Sequence, residues 1–219
     1  KIELAMTHDS LGILTVKSFQ ELPIEKVWDP NRIVVVFDHK VPATNIIVAE
    51  SQATIRRFVR EQGITNFYDL GRGGICHQIL HEQGHVKPGD LVVGTDSHTT
   101  THGAMGAVAT GIGSTEMVGV FATGELWFRV PETMNIVLEG DLGEAVMGKD
   151  VILHLIGRFG VAGATYKAVE FSGSGVGGMS VADRLSMCNM AVEMGAKNAI
   201  MEPDVKTMNY LKERVKGEI

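Results

Sequence analysis

The sequence has 219 residues, of which 44% are hydrophobic and 21% are charged, a balance typical of a folded globular protein. Its formal net charge of −6 lacks the basic footprint of nucleic-acid-binding proteins, so we expect no nucleic-acid partner. No apolar run reaches the length of a membrane span, and we expect no membrane partner. Two cysteines without a signal-peptide pattern favour a reducing, cytoplasmic location.

Short apolar runs alternate along the chain with longer segments of helical periodicity. We predict strands over residues 2–6, 33–37, 64–68, 91–93, 134–139, 166–171 and 198–201. We predict helices over residues 12–22, 44–63, 75–82, 114–128, 150–159, 181–194 and 205–219. This alternation predicts an α/β fold, with helices in layers on both faces of a mostly parallel sheet.

Pro131 interrupts the pattern, and we place a domain boundary there. Residues 1–130 are then one three-layer α/β/α domain, and residues 131–219 begin a second, similar but incomplete domain. The chain opens with Lys1 rather than methionine, and a predicted strand follows at once. We therefore expect a piece of a longer chain.

Histidines accompany acidic or amide side chains at four places in the first hundred residues, mostly where a predicted strand ends. These clusters are His8-Asp9, Asp38-His39, His77-Gln78 and Asp96-Ser97-His98. Ligands of open α/β sheets bind beyond the carboxyl ends of the strands, and a carboxylate can hold an imidazole charged as a proton donor. Any single cluster is more simply a satisfied polar strand end, but four together predict a shared pocket.

A second candidate cluster lies on the predicted helix 181–194. Asn189 and Glu193 are four residues apart and share a face, with Ser186 on the same side. Their neighbours are mostly apolar, so we expect a helix buried almost all round, in which Glu193 needs a partner such as His77. Cys76 and Cys188 fit buried structural thiols. The glycines between residues 103 and 124 match no nucleotide-binding motif.

Five motifs in order identify a family resemblance. They are FDH at 37–39, GICHQIL at 74–80, GTDSHT at 94–99, GATYKAVEF at 163–171 and CNMAVEMGA at 188–196. Together with LAMTHD at the start and THGA at 101–104, they resemble the aconitase superfamily, in particular the large subunits of its 3-isopropylmalate dehydratase/homoaconitase branch. The resemblance covers nearly the whole chain.

The resemblance implies a hydro-lyase that isomerises a hydroxy-acid by dehydration and rehydration. It assigns catalytic roles to Asp38, His39, His77, Asp96, His98 and Glu193. It assigns substrate or near-substrate contacts to His8, Ser97 and Asn189. Of these, Asp38 and His39 match the pair that assists departure of the hydroxyl group as water.

The resemblance also implies a [4Fe–4S] cluster, whose open iron acts as a Lewis acid. The family's cluster cysteines lie in motifs that this sequence lacks, so we expect no metal ligand in this chain and place those cysteines beyond Ile219. The implied partner is a small, swivelling-domain subunit in a heterodimer or heterotetramer. The implied substrate is a small hydroxy-acid, as in leucine biosynthesis.

Other interpretations remain open at this point. The substrate of a homoaconitase or of an aconitase would fit the same residues. A metal-dependent hydrolase with His77, Asp96 and His98 as zinc ligands would explain the histidines but not Asn189 and Glu193. An interaction module that keeps the fold without chemistry is the non-enzymatic alternative.

Overall fold

The structure, a computed structural model, describes residues 1–215 and 217. Contacts divide the chain into two compact units that alternate along the sequence. The first unit contains Lys1–Ile79, Leu91–Asp96 and Ile112–Trp127, and the second contains Leu80–Asp90, Ser97–Gly111 and the chain from Phe128 onward. The boundary expected near Pro131 concerns domains of the whole protein and stays a prediction.

Eight strands and eight α-helices are found in the described residues. The strands are β1 (Leu4–His8), β2 (Ile33–Val36), β3 (Asn66–Tyr68), β4 (Leu91–Gly94), β5 (Val108–Gly111), β6 (Glu132–Val137), β7 (Lys167–Ser172) and β8 (Asn198–Met201). The α-helices are α1 (Gly12–Gln20), α2 (Ile46–Gln62), α3 (Cys76–Glu82), α4 (Ser114–Thr123), α5 (Gly148–Phe159), α6 (Ser174–Gly178), α7 (Val181–Met190) and α8 (Val205–Lys212). Short 3₁₀ helices cover Pro30–Arg32, Ser97–Met105 and Ala191–Met194.

Parallel strands form the centre of the first unit, in the order β3-β2-β1-β4. β1 pairs with β2 on one side and β4 on the other, so that Ala5 faces both Ile33 and Val93. From β1 the chain first builds outward through β2 and β3, and it then returns to add β4 on the opposite side. The order therefore reverses between β1 and β4, and such a switch point opens a crevice at the carboxyl ends of the strands.

Three phenylalanines from α1, α2 and α4 form the aromatic part of the first unit's core. Phe19 meets the ring of Phe58 edge-on at 5.6 Å and that of Phe121 at 6.4 Å, and all three side chains are buried. Asn45 caps helix α2, because its side-chain oxygen accepts the N–H of Val48. This packing fixes the helices against the sheet whose strand ends carry the polar clusters.

The second unit has its own parallel sheet in the order β6-β7-β8. Val169 of β7 is aligned with Met134 of β6 and with Ala199 of β8. Helices α5 and α7 pack on each other. Ser180 caps the start of α7: its N–H donates to the Asp183 carboxylate, and its hydroxyl accepts the N–H of Asp183.

Arg184 of α7 is fully buried in the second unit. Its guanidinium group donates to the Asp204 carboxylate at 2.8 Å, to the Thr207 hydroxyl at 3.1 Å and to the Val176 carbonyl at 3.0 Å. The hydrogen bonds from Arg184 lower the pKa of Asp204 to about 2. Because Asp204 also accepts the N–H groups of Lys206 and Thr207, this ion pair joins α7 to the start of α8.

Glycines in the stretch between residues 103 and 124 serve packing and helix termination. A Cβ atom at Gly103 would lie 1.6 Å from the carbonyl oxygen of Ala199 in β8, so only glycine permits this contact. Gly124 ends α4 in a left-handed conformation with φ of 70°, and a Cβ atom there would collide with Trp28. The contact of Gly103 lies within the second unit, and that of Gly124 lies within the first.

The predicted α/β class with parallel sheets is confirmed. Several boundaries differ, however. The helix expected over 114–128 ends at Thr123 because of Gly124, and the helix over 181–194 becomes 3₁₀ after Met190. The final helix ends at Lys212 rather than 219, while residues 216, 218 and 219 lie outside the description. Within residues 1–215 and 217, no helix is long and apolar enough to cross a bilayer.

Candidate active site

The candidate site of the first unit lies at the carboxyl ends of β1, β2 and β4, on both sides of the switch point. The side-chain hydroxyls of Thr7 and Thr95 lie 3.1 Å apart and tie the ends of β1 and β4 together. The polar residues that follow each strand therefore emerge next to one another. The sheet order, which periodicity does not reveal, explains why separate motifs meet.

His39 lies between two carboxylates. Its Nδ1 is 2.6 Å from Oδ1 of Asp38, and its Nε2 is 3.1 Å from Oδ2 of Asp96. Burial alone lowers the pKa of His39, but the hydrogen bonds and negative charges of Asp38 and Asp96 outweigh it and leave the pKa above its ordinary value. With a carboxylate acceptor at each nitrogen, the imidazolium form satisfies both contacts. His39 is therefore arranged to hold a proton.

Both carboxylates are themselves held in place. Oδ2 of Asp38 accepts the backbone N–H of Cys76 at 2.7 Å, at the start of α3. Oδ1 of Asp96 is 3.0 Å from Nε2 of His77, so Asp96 bridges the two imidazoles. The first unit thus presents a continuous chain of contacts from Asp38 through His39 and Asp96 to His77.

Asp9 is 2% exposed and contacts the loop that carries Asp38 and His39. Its Oδ1 accepts the N–H of His39 at 3.0 Å and, more weakly, that of Asp38 at 3.4 Å. Its Oδ2 accepts the N–H of Lys40 at 2.9 Å and the amide of Gln52 at 3.2 Å. The loop that carries Asp38 and His39 is therefore bound to Asp9 through its backbone.

His8 stacks on His39, with ring centroids 3.8 Å apart and planes 13° from parallel. Its Nδ1 accepts the N–H of Ser10, and its Nε2 is buried with no hydrogen-bond partner among the described residues. Burial lowers the pKa of His8, and the nearby charge of His39 lowers it further, outweighing the three carboxylates around it. A neutral imidazole thus supports the charged one. The substrate contact expected of His8 stays a prediction.

The second unit holds a separate imidazole–carboxylate pair. Nε2 of His98 is 3.0 Å from Oε1 of Glu193, and Nδ1 of His98 is 3.4 Å from the Ser97 hydroxyl. The Thr101 hydroxyl donates to the His98 carbonyl at 2.6 Å and accepts the side-chain amide of Asn189 at 2.8 Å. Asn189 therefore supports the turn that carries His98.

The structure joins the predicted residues into two groups, one in each unit. Asp38, His39, His77 and Asp96 belong to the first, and Ser97, His98, Asn189 and Glu193 to the second. The expectation that Glu193 lies in a helix buried all round is wrong, since 53% of its side chain is exposed. Glu193 contacts His98. The pairing of Glu193 with His77 that we expected from the sequence stays a prediction. The convergence of all these residues on one cleft also stays a prediction.

One group of four donors in the described chain is close enough to suggest a metal ion, namely His8, Asp9, Asp38 and His39. Its geometry opposes that use. Imidazole lone pairs lie in the ring plane, and two nearly parallel stacked rings direct theirs side by side rather than towards one ion. The oxygens of Asp9 already accept N–H groups. This group also differs from the zinc ligands of the hydrolase interpretation, which were His77, Asp96 and His98.

The two cysteines do not fit the thiolate ligands of an iron–sulfur cluster. Both are buried, and burial raises the pKa of each thiol far above its ordinary value. No cluster ligand is therefore assigned to Cys76 or Cys188, and no chemical step in this chain is derived through a cluster.

Sequence reasoning missed the roles of Asp9, Gln52 and Thr101. For Gln52 a signal existed: it is a polar residue on the face of α2 that also carries Ile55 and Val59, and it is 2% exposed. A polar side chain on a buried face needs a partner, which here is Asp9. For Thr101, the hydroxyl contacts depend on the 3₁₀ turn over Ser97–Met105, which periodicity did not predict.

The sequence of the chain is similar to a known family and to named members of it. A sequence model described as "Aconitase family (aconitate hydratase)" matches residues 1–219. A protein from Methanothermobacter thermautotrophicus, named as a probable 3-isopropylmalate dehydratase large subunit, is 60% identical over 97% of this chain and 51% of its own length. A 3-isopropylmalate dehydratase large subunit from Methanopyrus kandleri is 56% identical over 99% of this chain and 52% of its own.

A Methanosarcina mazei protein named as a probable methanogen homoaconitase large subunit is 54% identical over 97% of this chain and 54% of its own length. The chain thus spans about half the length of the curated relatives that it matches. The family match, in contrast, extends from the first residue to the last, across both groups of candidate site residues. The chain belongs to the aconitase family.

Proposed function

We propose that the chain is part of the large subunit of a hydro-lyase that interconverts a 2-hydroxy and a 3-hydroxy acid by dehydration and rehydration. The observation that carries the proposal is His39, held between Asp38 and Asp96 at the carboxyl edge of a parallel sheet. The family match and the names of the similar proteins support the same reaction class.

Dehydration of a hydroxy-acid needs a proton donor for the departing hydroxyl group. Hydroxide is a very poor leaving group, whereas water leaves readily, so the donor must be protonated and must face the reacting oxygen. Two carboxylates raise the pKa of His39 above its ordinary value and thereby favour its protonated form. After the proton has left, Asp38 holds the neutral ring in place through the Nδ1 contact.

The remaining residues have roles that follow from their contacts. Asp96 orients both His39 and His77 and thereby links the donor to a second imidazole. In the second unit, Glu193 orients His98, and Asn189 fixes the turn behind it. We assign His8, Ser97 and Asn189 to substrate binding or its support, as the family resemblance implies.

The cofactor and partner belong to the whole protein. We propose a [4Fe–4S] cluster with its thiolate ligands outside these 219 residues, consistent with the two buried cysteines here. We propose a small subunit as partner, because the similar proteins are named as large subunits. Of the possible substrates we favour 3-isopropylmalate, with homocitrate-type acids second, since relatives of both names match the chain.

The test is turnover by the full-length subunit, reconstituted with iron and sulfide and mixed with its small subunit. General acid catalysis contributes roughly 10²–10⁴-fold, so His39→Asn lowers turnover on that scale and leaves the visible absorbance of the cluster unchanged. His154→Asn is the matched control, because His154 is an exposed histidine of α5.

Undiminished turnover in the His39 variant would remove this residue from the mechanism. Comparison of isopropylmalate with homoisocitrate and isocitrate under the same conditions ranks the substrates. Activity with zinc alone, or without iron, would favour the metal-dependent hydrolase instead.

A further inference from the structure

We propose that Asp9 is a positioning residue that places His39 for the reaction by binding the backbone of its loop. This inference rests on the function proposed above, and no role is assigned to Asp9 by the family resemblance. Its carboxylate contacts three consecutive residues, Asp38, His39 and Lys40, through their N–H groups.

The contacts form a closed arrangement. Asp9 accepts in all of them, which the carboxylate can do and a side-chain amide cannot, since an amide has only one acceptor oxygen. Gln52 donates to Asp9 at 3.2 Å and to the Lys40 carbonyl at 2.9 Å, so the loop is held from a strand and from helix α2. Both Asp9 and Gln52 are 2% exposed.

The location makes the effect specific for His39. Asp9 directly follows β1, whose pairing with β2 and β4 leaves it little freedom. Beyond β2, which ends at Val36, Phe37 still donates its N–H to the Tyr68 carbonyl at 2.9 Å, and the N–H groups of the next three residues go to Asp9. By binding that loop, Asp9 transfers the rigidity of the sheet to the backbone of His39. The two carboxylates that flank the His39 ring can then meet both of its nitrogens.

Asp9 receives no hydrogen bond from a cationic group among the described residues. Its four contacts are three backbone N–H groups and one neutral amide. Among the described residues, no Lys or Arg side chain makes a salt bridge with it. Hydrogen bonds from neutral donors are weaker than charge-assisted ones, so they recover less of the cost of burying a carboxylate, and we infer that Asp9 serves geometry more than stability.

The test compares Asp9→Asn with wild type in the full-length protein. In either orientation, the new amide group turns its NH₂ towards two N–H donors, so part of the loop loses its acceptor. Hydrogen exchange of the peptide covering residues 37–41 is expected to become about tenfold faster or more, while the β2 peptide keeps its rate. In the assembled enzyme, kcat is expected to fall about 10–10²-fold with KM changed less than about threefold.

Asp29→Asn is the matched control. Asp29 also accepts a backbone N–H, from Asn31, and lies before β2, so its loss removes the same charge without touching the His39 loop. We expect no change at residues 37–41. If Asp9→Asn leaves the exchange of this peptide at the wild-type rate, or if kcat and KM stay as in wild type while the peptide loosens, the positioning role is refuted.

A second variant covers the case in which Asp9→Asn does not fold. Gln52→Ala removes one donor from Asp9 and one from the Lys40 carbonyl, and it should lower kcat about 3–10-fold and speed exchange at Lys40. Unchanged exchange and kcat would overturn the proposal. Absence of hydro-lyase turnover in the wild-type protein would instead refute the proposed function, and the exchange data would still decide whether Asp9 holds the loop.

Discussion

A deeply buried charged side chain is found in each unit, and the two are compensated in different ways. In the first unit the buried charge is the carboxylate of Asp9, surrounded by backbone N–H groups and Gln52. In the second it is the guanidinium group of Arg184, which is paired with Asp204. The first charge binds a loop that carries candidate catalytic residues, whereas the second joins helices α7 and α8.

This difference suggests that Asp9 serves the geometry of the site and that Arg184 serves the stability of the fold. Neutral donors fix the position of the His39 loop but return little Coulombic energy for the cost of burying a carboxylate. The Arg184–Asp204 pair has charge-assisted hydrogen bonds, and loss of one partner would strand the other. We therefore expect substitution of Asp9 to lower mainly kcat, and substitution of Asp204 to lower mainly the free energy of unfolding.

The two imidazoles differ in a parallel way. His39 contacts two carboxylates that are held by backbone or by a second imidazole, and 8% and 16% of their side chains are exposed. His98 contacts one carboxylate, Glu193, of which 53% is exposed. Solvent therefore screens the contact between His98 and Glu193 more strongly than the two contacts of His39.

The largest effect on stability is expected for Asp204→Asn. The variant leaves the fully buried Arg184 without its carboxylate. Because 37% of the Asp204 side chain is exposed, we expect a cost of about 2–3 kcal/mol, below that of a fully buried pair. Hydrogen exchange of the peptides covering α7 and α8 in the full-length subunit measures the change. Peptides of β1 and β2 in the first unit should keep their protection.

Asp150→Asn provides the control for loss of a helix cap. Asp150 accepts the N–H of Met147 at the start of α5 but has no buried cation as partner. Its replacement should cost about 1 kcal/mol. An equal loss in the two variants would show that Asp204 acts only as the cap of α8.

A smaller effect is expected for the exposed pair of the second unit. A double-mutant cycle with His98→Ala and Glu193→Ala should give a coupling energy of about 0.2–1 kcal/mol, the range of surface ion pairs. The free energies come from hydrogen exchange of the segment 191–194. The exposed pair of Arg32 with Asp29, 3.4 Å apart, is the reference. Coupling well above that of the reference would mean that the His98–Glu193 pair is shielded from water in the whole protein.

Much of the fold follows from local patterns. The branched apolar run that forms β2 predicts a buried strand to within one residue, and Asn198–Met201 is predicted without error. β5 was missed because Val108–Gly111 contains alanine, threonine and glycine, which favour no periodicity strongly. The order of the strands, and with it the switch point, depends on long-range pairing that no single segment encodes.

The sequence provides the candidate site residues as a prediction, and the contacts between them come from the structure alone. Asp38 and His39 were paired from their motif, and the structure agrees. The contacts of Asp96 with two imidazoles arise from the sheet order. The role of Asp9 depends on the backbone conformation of the loop after β2, where three consecutive N–H groups are directed at its carboxylate. The identities of the side chains do not reveal the direction of backbone N–H groups.

The smallest expected effect distinguishes the two stacked histidines by the pH dependence of stability. His39 has a raised pKa, so its contribution is fully present below the unfolded value of 6.5 and is lost as the pH rises through the folded pKa. His8 has a lowered pKa, so its contribution is present above 6.5 and is lost as the pH falls.

In wild type the two slopes oppose each other. In His8→Gln only that of His39 remains, and the first unit should become more stable as the pH falls from 8 towards 5.5. In His39→Asn the trend should reverse. Hydrogen exchange of the β2 peptide, corrected for the pH dependence of the chemical exchange rate, measures both. Equal slopes in the two variants would contradict the opposite assignment of charge to the stacked rings, in which a neutral His8 supports a protonated His39.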